Sequence, residues 1–231
     1  MEAIWECGAL TKTFGPKKAL NAFSASFAGG HITGLLGPNG SGKTTLMKLA
    51  AGLLTPTSGT VRVCGQTPGV ETKARTAYLP DWDYLPPYLR TQDAVALFAD
   101  FYTDFDAEKA KALLGELKIG PRDRVGAMSK GTREKLQLAL VMSRKAKLFL
   151  LDEPIGGVDP AARDRILDTI IRNYSEDAAL VISTHLIGDV ETILDDVVMI
   201  ENGQVRLSGE AEALRAEHGK SIDALFREGF R

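Results

Sequence analysis

The sequence predicts an α/β fold built around a parallel sheet. Three observations predict it. Residues 37–44 read Gly-Pro-Asn-Gly-Ser-Gly-Lys-Thr, which fits the pattern G-x-x-x-x-G-K-[ST]. An apolar run at 32–36 and helical spacing at 45–54 place that loop between a strand and a helix. Farther along, the apolar strands 147–151 and 178–183 flank a helix at 160–174, which is typical of a parallel β-α-β unit.

Each residue type in this loop has a physical role in binding phosphate. The glycines allow backbone N–H groups to turn inward, and the helix that begins at Thr44 adds its positive dipole end. Lys43 supplies a charge for the outer phosphates, and the Thr44 hydroxyl suits Mg²⁺. A chance match has a probability of roughly 1% in a chain of average composition. The predicted nucleotide-binding segment is Gly37, Pro38, Asn39, Gly40, Ser41, Gly42, Lys43, Thr44 and Thr45.

Composition, charge and hydropathy pattern indicate the broad class of protein to which the chain belongs. The chain has 231 residues, of which 44% are hydrophobic and 25% charged, and we expect one α/β domain over 1–231. A net charge of −2 offers no basic face for nucleic acid. We find neither an 18-residue apolar run nor a signal-peptide pattern, which predicts a cytoplasmic chain. Cys7 and Cys64 lie in strand-like segments and are predicted to be buried thiols rather than a disulfide or metal pair.

The remaining elements follow in chain order. Alternation predicts strands at 3–10, 20–27, 60–64 and 74–79, which form a β-rich portion around the loop. Helical patterns follow at 91–102, 107–118 and 133–144, with Asp106 as an N-cap, so a helical subdomain is predicted at about 82–147. A hairpin turns at Asn202-Gly203 between strands 197–201 and 204–207. Helices at 210–217 and 221–230 form a tail over about 210–231.

Three further segments of the sequence carry chemistry. Asp152 and Glu153 end a buried strand, at the edge of a sheet where ligands bind, so one carboxylate can hold Mg²⁺ while the other activates water. Ser129-Lys130-Gly131 precedes a helix and could bind an anion, although alone it is an ordinary cap. His185 follows an apolar strand and Ser183-Thr184, which favours a functional imidazole over a structural one.

The order of these motifs resembles the ATP-binding subunits of ABC transporters over essentially the whole chain. It is most similar to the stand-alone subunits of ABC-2-type exporters, which include a branch with a Ser-Lys-Gly signature and an Ile-Gly-Gly-Val-Asp-Pro stretch. The motifs are the phosphate loop, the helical insertion, Met128 to Thr132, Asp152 to Pro154, Gly157 to Asp159, and Ser183 to His185. The resemblance implies a P-loop NTPase with a RecA-like core, an antiparallel β subdomain and an inserted helical subdomain.

The resemblance also implies roles for single residues. Phe14 matches the aromatic residue that stacks on adenine, although periodicity allows it to be core. Asp152 matches the Mg²⁺ carboxylate, Glu153 the catalytic base, and His185 the histidine that faces the γ-phosphate. Lys43 joins them as a catalytic residue. Ser129 and Gly131 match the signature that contacts the nucleotide of a second subunit.

Asp159 matches an inter-subunit loop and also reads as the N-cap before Pro160. The chain departs from the family pattern at two places. Asp81 stands where the family usually has Gln, at a position that touches Mg²⁺ and the attacking water, and a carboxylate there would hold the metal more strongly. Lys130 and Thr132 replace the commoner Gly and Gln of the signature. Lys130 either adds a cation near the partner's nucleotide or is simply solvated.

The implied protein is an ATPase that powers an exporter through ATP-driven dimerisation, with ATP and Mg²⁺ as cofactors. Its partners would be a second ATP-binding subunit, in a homodimer or a heterodimer, and a separate transmembrane permease; nucleic acid is not expected. It would lie in the cytoplasm, peripheral on the inner face of the cell membrane. Aromatic residues crowd positions 81–90 and predict either a docking loop for the permease or local core.

A non-transport ABC ATPase acting in translation or DNA maintenance is the alternative. Such factors carry paired domains, coiled coils or basic faces, and none of these is visible in the sequence. A nucleotide kinase or GTPase is less favoured, because it would leave Ser129 and His185 without a role.

Overall fold

The computed structural model describes residues 2–175 and 177–229. The strands are Ala3–Phe14 (β1), Lys17–Ala28 (β2), Ile32–Leu36 (β3), Ser58–Val63 (β4), Thr76–Leu79 (β5), Leu148–Asp152 (β6), Ala179–Thr184 (β7), Asp196–Glu201 (β8) and Gln204–Glu210 (β9). The helices are Lys43–Ala50 (α1), Val70–Ala74 (α2), Thr91–Phe101 (α3), Ala107–Glu116 (α4), Lys130–Met142 (α5), Pro160–Asn173 (α6), Ile187–Val190 (α7), Ala211–His218 (α8) and Ile222–Gly229 (α9).

The strands form two sheets, which confirms the predicted α/β class. A six-stranded sheet has the order β5-β6-β7-β3-β8-β9, and its pairs are parallel except for the hairpin β8-β9. A three-stranded antiparallel sheet has the order β2-β1-β4. The hairpin turns where predicted, with φ of 49° at Asn202 and 75° at Gly203, the left-handed conformations that a tight hairpin turn requires.

The larger sheet is buried on both faces because its central strands are continuously apolar. One face, with Leu35 and Leu150, packs with α1 and the smaller sheet. The opposite face, with Leu36 and Leu151, packs with α3, α4, α5 and α6. Alternate residues of each strand therefore belong to different cores, as the two-residue period of a strand requires.

Strand order brings the predicted functional residues to one edge. The neighbours β6, β7 and β3 run parallel, so their carboxyl ends meet there. In the register, Asp152 lies opposite Ser183, and Leu36 lies opposite Thr184. The phosphate loop leaves β3 at this edge, and His185 follows β7. This is where an α/β sheet binds ligands.

Several bounds differ from the sequence predictions. Helix α5 begins at Lys130 rather than at 133, because Ser129 already caps it, and β1 extends to Phe14 through register shifts in its pairing with β2. Helix α2 was not predicted. Cys64 is half-buried rather than buried, whereas Cys7 is buried, and both are free thiols. The predicted end of the last helix, Phe230, lies outside the described residues.

Helices α3, α4 and α5 occupy the segment between β5 and β6, where the sequence predicts an inserted subdomain. That this segment is a separable subdomain stays a prediction. Within residues 2–175 and 177–229, no helix combines the length and the apolar character needed to cross a membrane.

Candidate nucleotide-binding site

A cavity of about 300 Å³ opens at the carboxyl edge of the larger sheet. It brings together residues from four separate parts of the sequence. They are Phe14, Lys17 and Ala19 from the first hairpin, Asn39, Gly40, Gly42, Lys43, Thr44 and Thr45 from the loop and α1, Asp81 after β5, and Glu153 after β6. Most of the predicted site residues therefore share one cavity.

The phosphate loop has the backbone conformation that its glycines predict. Gly40 has a φ of 82° and Gly42 a φ of 115°, which a residue with a side chain adopts only under strain. Gly37 is required for space, because a Cβ there would lie 2.4 Å from the carbonyl oxygen of Ile200. The loop therefore folds tightly before α1, with its backbone free to face an anion.

Lys43 lies against its own loop. Its side chain is only 6% exposed, and its Nζ donates to the carbonyl oxygens of Gly37, at 2.6 Å, and Pro38, at 3.2 Å. Nζ also lies 3.8 Å from a carboxylate oxygen of Glu153. Burial lowers the pKa of Lys43, and the charges of Glu153 and Asp152 oppose that shift. The charge predicted to meet the outer phosphates is thus held by neutral acceptors and one carboxylate.

Asp152 is buried and surrounded by hydroxyl donors. The Ser183 hydroxyl donates to its carboxylate, and the Tyr78 hydroxyl lies 3.5 Å from the other oxygen. Burial raises the pKa of Asp152, while hydrogen bonds from Ser183 and Thr44 lower it. The carboxylate and the Thr44 hydroxyl are therefore neighbours, as two ligands of one Mg²⁺ must be.

The oxygen atoms of Asp152 and Thr44 fit the kind of Mg²⁺ site that is found in phosphate-binding proteins. No cluster of three or more His, Cys, Asp or Glu side chains arranged to hold a metal occurs in the described part of the chain. Mg²⁺ does not require one, because it is commonly bound by one or two protein oxygens together with substrate phosphates and water. Asp81 is exposed and lines the same cavity, so it could contribute a further oxygen.

Glu153 contacts His185 directly. His185 Nδ1 lies 3.0 Å from Glu153 Oε2, and the Thr184 hydroxyl lies 3.2 Å from the same oxygen. The backbone of Glu153 has a φ of 50°, a strained value for a side chain of this size, and its N–H donates to the Ser183 carbonyl at 3.0 Å. This conformation is held by β7, and it directs the carboxylate toward Lys43 and His185.

Phe14 is not core. It is 47% exposed at the rim of the cavity, and Lys12 Nζ lies 5.1 Å from the centre of its ring. The core alternative is therefore wrong, because a core phenyl ring would be covered by apolar neighbours. Its role in stacking on adenine stays a prediction.

Ser129 and Gly131 lie outside this cavity. Ser129 is exposed and caps α5, with its hydroxyl accepting from the N–H of Thr132 at 3.2 Å. Lys130 is 70% exposed and lies 3.8 Å from Glu134, which favours the solvated alternative for this lysine. Asp159 takes the N-cap position before Pro160, but its side chain makes no capping hydrogen bond. One chain alone does not place the signature on its own phosphate loop.

Some side chains that line the site or contact its residues are not predicted from the sequence. Lys17 lines the cavity three residues after Phe14, and only its position beside that aromatic residue could have indicated it. Ser183 and Thr184 were noted as part of a motif, but their hydroxyl contacts with Asp152 and Glu153 come from strand pairing. Tyr78 reaches Asp152 because β5 lies beside β6.

Known proteins resemble this chain in both sequence and fold. Residues 20–156 match the family model described as ABC transporter. The uncharacterised ABC transporter ATP-binding protein YxlF of Bacillus subtilis is 31% identical over 222 residues, covering 94% of this chain and 74% of that protein. The Nod factor export ATP-binding protein I of Burkholderia orbicola is 31% identical over 214 residues, covering 88% of this chain and 69% of that protein. A solved ATP-binding subunit of an ABC transporter superposes with a TM-score of 0.89 at 26% identity, covering 99% of this chain and 100% of the other.

Proposed function

The chain belongs to the ABC transporter family and is an ATP-binding, ATP-hydrolysing subunit; on that premise we propose that it powers a membrane exporter through ATP-driven dimerisation. A similar protein, 31% identical, is named for the export of a Nod factor, which supports export as the direction of transport. The observation that carries the proposal is the separation of Ser129 from a cavity that already holds Lys43, Asp81 and Glu153.

The cavity supplies what hydrolysis of a phosphoanhydride bond needs. Lys43 would leave its loop carbonyls for the outer phosphates, and Thr44 and Asp152 would hold Mg²⁺, which neutralises charge developing on the transferred phosphoryl group. Glu153 would accept a proton from the attacking water. His185, 3.0 Å from Glu153, would face the γ-phosphate and orient that base. Phe14 would stack on adenine from the rim.

The position of the signature supports dimerisation. Each ATP would lie between the phosphate loop of one subunit and Ser129 and Gly131 of the other. ATP that contacts both subunits binds the associated form preferentially and shifts the population toward the dimer. Hydrolysis then releases the subunits. The partner is a second ATP-binding subunit, as a homodimer or a heterodimer.

The permease would dock at the loop 81–90. Trp82 is 44% exposed and Tyr88 75% exposed, whereas Leu85 is buried and Tyr84 half-buried, so the loop is part docking surface and part local core. Beside it lies a second cavity of about 310 Å³, lined among others by Leu53, Trp82 and Tyr102. An apolar helix of the permease suits this surface. The chain would then work in the cytoplasm on the inner face of the membrane.

The test uses Glu153→Gln, which keeps the shape of the side chain but removes the proton acceptor. Size-exclusion chromatography with light scattering should show a dimer only with ATP and Mg²⁺. Adding Ser129→Arg on the same chain should abolish that dimer, because the larger side chain would invade the facing nucleotide while leaving its own phosphate loop intact. A single variant that stays monomeric at saturating ATP, both alone and with the permease present, contradicts the proposal.

A further inference from the structure

We propose that Arg133 is a positioning residue that connects the loop 81–90 to the signature Ser129. Its guanidinium bridges Asp83 in that loop and the carbonyl of Met128, the residue before Ser129. This inference rests on the proposed function, because it assumes that the loop meets the permease and that Ser129 meets the nucleotide of a second subunit. It adds a structural connection by which docking of the permease at the loop would affect the contact between Ser129 and the nucleotide.

The bridge is continuous in hydrogen bonds. Arg133 Nε donates to Asp83 Oδ2 at 2.7 Å, and Arg133 Nη1 donates to the Met128 carbonyl at 2.6 Å. The other oxygen of Asp83 accepts from Gln137 Nε2 at 2.9 Å. Both oxygens of this carboxylate are therefore bound to α5, on side chains one helical turn apart.

The Met128 carbonyl belongs to the same peptide group as the backbone nitrogen of Ser129, so its orientation affects that of the signature. The peptide bond between Met128 and Ser129 is rigid, so a guanidinium that holds the carbonyl also holds the backbone nitrogen of Ser129. On the other side, Ser129 is held by α5, because its carbonyl accepts from the N–H of Arg133 at 3.0 Å. Movement of Asp83 relative to α5 would therefore change the orientation of the Ser129 hydroxyl.

Gln137 anchors the bridge in the interior. It is 3% exposed, and its Oε1 has no hydrogen-bond partner within residues 2–175 and 177–229. Loss of Asp83 would remove the partner of its Nε2 and leave the amide without either contact, a costly state for a buried polar group. Arg133 and Asp83 are 26% and 41% exposed, and such an isolated pair would contribute little to stability. Loss of the Arg133 contact is therefore expected to change the geometry of Ser129 more than folding, whereas loss of Asp83 also costs stability through Gln137.

The Arg133→Lys variant distinguishes a bridging role of Arg133 from a purely electrostatic one. Arg133→Lys keeps the positive charge, but one ammonium on a flexible chain cannot reproduce two donors held in a planar fork. If Arg133 acts only as a charge near the partner's nucleotide, lysine will replace it. If Arg133 acts as the bridge, lysine will fail almost as completely as Arg133→Gln.

The experiment measures ATP-dependent dimerisation in the Glu153→Gln background. Arg133→Lys, Arg133→Gln and Asp83→Ala should each weaken the dimer by roughly tenfold, with ATP affinity of the monomer unchanged. Combining Arg133→Lys with Asp83→Ala should add little, because both break the same connection. Lys111→Gln, which breaks a surface ion pair with Glu108 on α4, is the matched control and should leave dimerisation unchanged. Full dimerisation of Arg133→Lys, or additive effects, overturns the bridge.

Hydrogen exchange separates failure of the bridge from failure of the proposed function. If the Glu153→Gln parent itself does not dimerise, the trans-site model fails, yet the bridge is still tested in the monomer. The amides of Thr132 and Arg133, which donate to Ser129, should exchange several-fold faster in Arg133→Lys and Asp83→Ala than in the parent. Unchanged exchange at both amides contradicts the bridge whatever the oligomeric state.

Discussion

Thr184→Val tests how Glu153, the proposed catalytic base, is held. Thr184 is the last residue of β7, is fully buried, and makes two hydrogen bonds through its hydroxyl. It lies 3.2 Å from Glu153 Oε2 as a donor and accepts from the N–H of Leu186 at 3.0 Å. Valine keeps the shape and removes both contacts.

The expected loss follows from these two bonds. A hydrogen bond to a charged group contributes about 1.5–3 kcal/mol, and an N–H left unpaired costs a similar amount. With partial relaxation we expect a net destabilisation of about 2 kcal/mol, or a fall in melting temperature of roughly 4–8 °C for a chain of this size. Glu153 keeps its contact with His185, so its orientation is weakened rather than lost, and kcat should fall about tenfold, equivalent to ~1.4 kcal/mol in the barrier.

Steady-state hydrolysis and thermal unfolding measure the two effects separately. The KM for ATP should stay within about twofold, because Thr184 does not line the nucleotide cavity. Thr184→Ser retains the hydroxyl and should recover most of kcat while remaining somewhat less stable through its lost methyl group. A Thr184→Val enzyme with unchanged kcat would refute the reasoning, as would a Thr184→Ser enzyme that is equally impaired.

Four further outcomes are expected. Lys43→Ala should weaken ATP binding and abolish turnover, because the outer phosphates lose their counter-charge; normal hydrolysis would exclude this site. His185→Ala should keep nucleotide affinity but lose ~10²-fold or more in turnover, and a large loss of affinity instead would make it structural. Phe14→Ala should raise the Kd for ATP roughly tenfold or more in equilibrium titration, with Phe14→Tyr as a control that retains stacking; an unchanged Kd would contradict the adenine contact. Chelation of Mg²⁺ with EDTA should stop hydrolysis and dissociate the Glu153→Gln dimer, and hydrolysis that continues would contradict the Mg²⁺ requirement.

Motifs with a local physical cause could be predicted from sequence. The phosphate loop, the buried strands and the Asn202-Gly203 turn each depend on neighbouring residues, and the structure has them where predicted. Helix α2 could not be predicted, because five residues after Gly69 give no helical period. The sequence predicts Ser129 as a cap. It places the start of α5 at 133 rather than at Lys130, because Lys130-Gly131 is typical of a loop.

Contacts that depend on strand order could not be predicted. Tyr78 and Asp152 are in contact only because β5 pairs with β6. The sequences of these two segments do not indicate that the strands are neighbours. Arg133 and Asp83 lie far apart in the chain, and an arginine on a helix reads as a solvated side chain. The exposure of Phe14 likewise depends on which face of the first hairpin meets α1. Tertiary packing decides these cases.

Because the loop already holds Lys43, the number of phosphate groups on a nucleotide should decide how well it binds. Its ammonium must give up the Gly37 and Pro38 carbonyls before it can serve a ligand. A triphosphate offers several charged oxygens along the loop and can replace two neutral acceptors, whereas a monophosphate has too few to compete. This loop would therefore discriminate among adenine nucleotides by the length of their phosphate chain, before any contact with the base is considered.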